Sequence, residues 1–173
     1  MQFVPSIRSL IAIAALAFAT APLVPQNAHA GDKKAGVRIS FHVEGDETDG
    51  PNRVRPFRVH GEEKFFTNIP VVTHEHFVAY YPFANENGTF GAAFLLNERG
   101  QTRIKRAALE HKEGLMIPVI NASAGEPIVL DGATSPFIVV WNGLSTEHFA
   151  FFEKEWKLRP ISGPEDLPPG IAN

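Results

Sequence analysis

Polar and apolar residues alternate over residues 37–43, where Val37, Ile39, Phe41 and Val43 interleave with Arg38, Ser40 and His42. A period of two puts the apolar side chains on one face and predicts a half-buried strand. Residues 44–52 (EGDETDGPN) break the pattern with Gly45, Gly50 and Pro51 and predict a loop. Residues 54–59 (VRPFRV) predict a short strand, which Pro56 assigns to a sheet edge because proline has no amide hydrogen to give to a ladder. Residues 64–72 form another extended run, and Thr73 is placed to cap a single helical turn over 73–77. Residues 78–83 and 89–96 flank Asn85-Glu86-Asn87-Gly88, and an Asn-Gly turn between apolar runs predicts an antiparallel hairpin.

The second half changes period. Residues 97–112 contain no proline and carry Ile104, Ala108 and His111 at helical spacing, with Gly114 as the stop. Residues 115–120 (LMIPVI), 127–130 and 137–141 (FIVVW) predict strands, separated by a turn over 121–126 and by Asp131-Gly132. Ser145 is placed as the N-cap of a last helix, with Leu144 and Phe149 flanking it as a hydrophobic staple. Phe149, Phe152 and Trp156 then form one apolar face, and Pro160 ends the helix. The order predicts an α+β fold, a mostly antiparallel sheet with two helices packed on one face. Residues 161–173 carry Pro164, Pro168 and Pro169 and little to bury, which predicts a disordered tail.

Composition separates the first thirty residues from the rest of the 173-residue chain. Arg8 is their one charged residue, LIAIAALAFA over 10–19 is apolar, and Ala28-His29-Ala30 is a small-x-small site. That is the pattern of an export signal, cleaved near Ala30, and not of a membrane span. The remainder, 31–160 as one domain plus the tail, keeps fifteen of the sixteen basic residues and all nineteen acidic ones, for a formal charge of −4. Such a balance argues against nucleic acid as a partner. The chain has no cysteine, which removes disulfides, a lipid-anchor cysteine, thiol catalysis and cysteine-based metal sites. These features predict an exported, periplasmic or secreted domain.

Candidate chemistry is sparse. His42 and Glu44 share a strand face, and His74 and His76 do so if their segment is extended; two imidazoles and a carboxylate would suit a divalent metal ion with an open position. Thr73-His74-Glu75-His76 has one residue between its histidines where a zinc-protease helix has three. The acidic run 46–50 fits no frame of a calcium-binding loop, and no nucleophile motif is present. Arg99, Arg103 and Arg106 fall at i, i+4 and i+7 of the first helix, a stripe that suits an acidic partner. Phe57, Phe65, Phe66, Phe77, Tyr80, Tyr81, Phe83, Phe90 and Phe94 exceed what the strand interiors need, which leaves some for an exposed patch.

From Pro70 onward the chain resembles the periplasmic head domain of SecD, a subunit of the Sec translocase. The resemblance is carried by Pro70-Val71-Val72-Thr73, by Phe94-Leu95-Leu96-Asn97-Glu98-x-Gly100, and by a helix containing Arg103. Gly114-x-x-x-x-Val119, the turn over 121–126 and Pro127-Ile128-Val129 complete it, with Gly125 displaced by a longer turn than that family uses. It implies the fold of that head over residues 70–158 and a polypeptide-binding habit. It does not imply translocase activity, because SecD heads are carried between membrane helices and no segment after residue 30 has that length. The sequence thus favours a non-enzymatic domain that binds a protein or peptide, with a small metal-binding protein or metallohydrolase as the second reading.

Overall fold

The computed structural model describes residues 36–130, 135–163 and 166; the expected leader at 1–30 and the tail beyond 166 lie outside the described residues. In chain order the strands are β1 (Ile39–Val43), β2 (Val54–Val59), β3 (Glu62–Thr67), β4 (Val72–Thr73), β5 (Phe77–Ala84) and β6 (Phe90–Leu96). Helix α1 (Glu98–Glu110) follows, then β7 (Leu115–Ile120), β8 (Ser123–Ala124), β9 (Ile128–Val129) and β10 (Phe137–Leu144). Helix α2 (Thr146–Lys154) and β11 (Arg159–Pro160) close the series. The fold is α+β, with two helices and mostly antiparallel sheets, as the alternation of periods implies.

The sheet is divided. One part has the order β4-β1-β7-β8, with β9 also on β7; a second has the order β10-β6-β5-β11; β2 and β3 form a separate hairpin. Every pairing is antiparallel except β11 with β5. The first two sheets and both helices share one core, in which Ile39, Phe41 and Met116 meet Tyr80, Phe94, Val140, Ala107, Ala108 and Phe152. Phe77 joins the sheets, its ring stacked on Phe94 at 4.3 Å and edge-on to Phe41 at 6.3 Å. Phe152 of α2 touches Phe94, Tyr80 and Phe149 and stacks on Trp156 at 4.7 Å, so the apolar face of α2 is an aromatic cluster.

Both faces of β7 are covered, which is why LMIPVI lacks alternation. Met116 and Ile120 enter the shared core, while Ile117 and Val119 pack under Val59 and Phe66 of the β2–β3 hairpin. Pro56 lies in that two-stranded hairpin, where every strand is an edge. At Gly45 an added Cβ would meet Val54 Cγ1 at 2.7 Å, so the loop and the hairpin approach each other through a missing side chain.

Several sequence boundaries shift. The extended run over 64–72 divides at Thr67, whose hydroxyl donates to the Ile69 carbonyl at 3.1 Å and turns the chain before β4. The last helix ends at Lys154 and not at Pro160, because Lys157 takes a φ of 57° and Arg159–Pro160 then lie along β5. The expected disordered tail is corrected at its start: Ile161 is only 3% exposed, packed on Ala79 and Leu95, and its N–H donates to the Tyr80 carbonyl at 2.7 Å. An apolar residue just past a proline was enough to continue the sheet.

Phe152→Ala removes a buried ring that four other aromatics touch, so it should cost about 3–5 kcal/mol of stability, read as a lower midpoint in chemical denaturation.

Candidate functional site

The histidines are built into the fold. His42 alternates onto the face of β1 that the hairpin covers; its Nδ1–H donates to the Thr67 carbonyl at 2.7 Å, and Nε2 accepts from the Ser40 hydroxyl at 2.8 Å. The Arg55 guanidinium lies 3.4 Å from the same Nε2, sits 4.7 Å over the Phe57 ring, and has a buried Nε with no hydrogen-bond partner. Glu44, two residues along, accepts from Lys64 Nζ at 3.0 Å and from the Leu115 N–H at 3.1 Å.

His76 and His148 do a different job. In each of two short sequences, Thr73-x-x-His76 and Ser145-x-x-His148, the histidine occupies the third position of a capping box. The ring Nδ1 accepts the cap residue's backbone N–H, at 3.2 Å from Thr73 and 3.0 Å from Ser145. Glutamate or glutamine usually fills this place, because the helix start needs an acceptor there. His74 lies flat on Trp156 at 4.8 Å.

The four residues expected to hold a metal are therefore not brought together. No group of three or more His, Cys, Asp or Glu that could hold a metal ion occurs among the described residues. His42 and Glu44 are tied to the hairpin, while His74 and His76 form a helical turn, where alternate residues do not share a face as they would in a strand. The acidic run 46–50 is likewise a self-capped turn, Asp46 accepting from the Thr48 N–H at 2.8 Å and Asp49 from the Asp46 N–H at 3.1 Å.

Two of the three predicted arginines do meet at one place. A cleft of about 810 Å³ runs between α1 and the segment leading into β4. Arg103 and Arg106 line it from the helix, and Arg53 faces them from the start of the hairpin. Its apolar lining comes from Val43, Ile69, Pro70, Val71 and Ala107, and Ile69 is 80% exposed. Arg103 donates to the Val71 carbonyl at 3.3 Å, and Arg106 is paired with Glu110 at 2.8 Å. Arg53 has no ion-pair partner among the described residues. Arg99 lies outside the cleft lining; its charge acts instead on His76. Arg53 is the member that sequence reasoning missed, since it is fifty residues from Arg103 and only the fold brings the two together.

Burial lowers the proton affinity of all three structural histidines. Burial lowers the affinity of the His42 ring for its proton, with the Thr67 carbonyl opposing and Arg55 reinforcing the effect. Burial does the same at His76, where the Thr73 carbonyl and Glu75 oppose it and Arg103 and Arg99 add to it, and at His148, where Glu147 opposes it.

No protein-family model matches the sequence, and no curated protein does. Among solved structures, the chain is similar to SecDF in its super-membrane-facing form, with a TM-score of 0.44 and 11% identity over 65% of this chain and 17% of that one. It is also similar to SecDF described as a membrane component that enhances protein export, with a TM-score of 0.43 and 9% identity over 67% of this chain and 59% of that one. The chain spans less than two thirds of either structure's own length. The likeness to SecDF is a weak one of fold. No helix among the described residues is long and apolar enough to cross a membrane.

Since His42, His76 and His148 bind protons less readily folded than unfolded, the unfolded chain takes up more protons on acidification. Stability should hold above the unfolded value of 6.5 and fall as pH drops below it toward the lowered folded values. His148→Gln keeps an acceptor that does not titrate, so the loss of Tm between about pH 7 and 5.5 should become shallower than in the parent chain. Thermal melts across that range measure it.

Proposed function

We propose that the chain is an exported, non-enzymatic domain of the cell envelope that binds an acidic polypeptide segment in the cleft between α1 and the β3–β4 connection. The observation that carries this reading is the juxtaposition of Arg53, Arg103 and Arg106 around an apolar strip that includes exposed Ile69. An interface of that composition gives an apolar contact for affinity and a positive rim for orientation and encounter. On a chain whose formal net charge is −3, a local concentration of arginine stands out against the acidic remainder. Arg103 and Arg106 remain one turn apart on a rigid helix, so their spacing is fixed before a partner arrives. The export assignment rests on the charged start, apolar run and small-x-small site of the first thirty residues. The non-enzymatic assignment rests on the use of the buried histidines as capping and bracing groups.

Fluorescence anisotropy with a labelled peptide alternating acidic and apolar residues tests the cleft. Saturable binding should weaken as salt is raised, and Arg53→Glu combined with Arg103→Glu should weaken it by about tenfold or more, equivalent to ~1.4 kcal/mol. Binding that ignores both salt and the double substitution would remove the cleft from consideration.

A further inference from the structure

Among the described residues, one ion pair lies inside the basic cleft. Arg106 Nε of α1 stands 2.8 Å from Glu110 Oε1, and both residues belong to the cleft lining. For the helix that carries it, the pair is badly placed. Glu110 is the last residue of α1, where the free carbonyl ends of a helix repel a carboxylate, and the last turn holds no basic residue to offset it. The order is also the weaker one: a pair four residues apart supports a helix best with the acid on the N-terminal side, and here the arginine comes first. The two side chains are 78% and 53% exposed, and an ion pair so open to water contributes little to folding. Arg53 and Arg103, the other guanidiniums of the lining, have no acidic partner among the described residues.

We propose that Glu110 is a placeholder for the partner: it occupies Arg106 in the free chain, and a carboxylate of the bound acidic segment takes its place. Resting on the cleft assignment above, this role makes Glu110 the residue that sets selectivity there. A placeholder has to let go, which an exposed pair does at small cost. It has to lie where the partner lies, and Glu110 lines the cleft. It need not stabilise its own helix, and a carboxylate at the C-terminal end does not. Exchange of one carboxylate for another conserves the ion pair at Arg106, so that arginine adds little net affinity for an acidic partner. Its effect is on the wrong partners. An open guanidinium would draw any anion, whereas a resident acid is displaced only by a carboxylate held in place through contacts along Ile69, Pro70 and Val71. A basic side chain brought to the same place leaves Arg106 with Glu110 and meets like charge.

The test is a cycle of substitutions in the full chain, read by anisotropy with the labelled acidic and apolar peptide. Glu110→Gln should tighten binding about two- to fivefold, because Arg106 is released to the peptide, and should leave Tm unchanged or raise it. In an Arg106→Gln background the same substitution should give a clearly smaller gain, since no guanidinium is there to release. An equal or larger gain in that background would mean that Glu110 only repels the peptide, and would overturn the proposal. So would the absence of any gain, or a fall in Tm, which would make the pair a brace for the helix. Binding that Arg53→Glu with Arg103→Glu weakens, but that Glu110→Gln leaves unchanged, would sink the placeholder alone. No binding by the parent or by any variant would remove the cleft assignment with it.

Discussion

Phe77 stands at the end of a single helical turn, at the start of β5, and its ring is wedged between two sheets that share no ladder hydrogen bond. It stacks on Phe94 from one and meets Phe41 of the other edge-on. With no ladder hydrogen bonds between the sheets, side-chain packing has to hold their faces together, and aromatic contacts add to the apolar burial. The remaining architecture follows from that joint. The turn ahead of Phe77 has to be held firmly, which Thr73 and His76 accomplish through the backbone. Helix α2 has to supply rings that continue the cluster, which Phe149 and Phe152 provide, with Trp156 stacked on Phe152 just past its end.

The same requirement explains why His76 and His148 are placed as acceptors. A helix start leaves backbone donors without partners, and a nearby imidazole can satisfy one of them only while neutral. Burial disfavours its protonation. A ring so committed has little left for a metal ion, and His42 is similarly engaged through both nitrogens. The chain therefore places three of its imidazoles at the junctions of its elements.

Local periodicity revealed most of the fold. The hairpin at Asn87-Gly88, the strand over 115–120 and the Asn97 and Ser145 helix starts are each determined by neighbours within a few residues. The division of the sheet was not legible, because Phe41 and Phe77 read as ordinary core residues until their partners are known. The stretch over 64–72 looked continuous because the turn after Thr67 depends on a hydroxyl-to-carbonyl bond that leaves no apolar signature. Of the cleft, the Arg103–Arg106 spacing could be read from a helical wheel, but Arg53 could not. The capping role of His148 was not legible for a related reason: histidine is not among the residues usually expected three places after a cap serine, although its ring presents the same acceptor.

The β2–β3 hairpin occupies an unusual position in this scheme. Among the described residues it pairs with the main body through one bridge, between Glu44 and Phe66, and packs on it through a small cluster separate from the shared core. Its attachment is therefore largely side-chain: the His42 bond to Thr67, the Glu44 pair with Lys64, and Phe66 on Ile117 and Val119. An element held that way takes its seating from side-chain contacts more than from a continuous ladder. Arg53 stands at the start of this hairpin and Arg103 on α1, so the basic cleft draws its two sides from elements anchored by different kinds of contact.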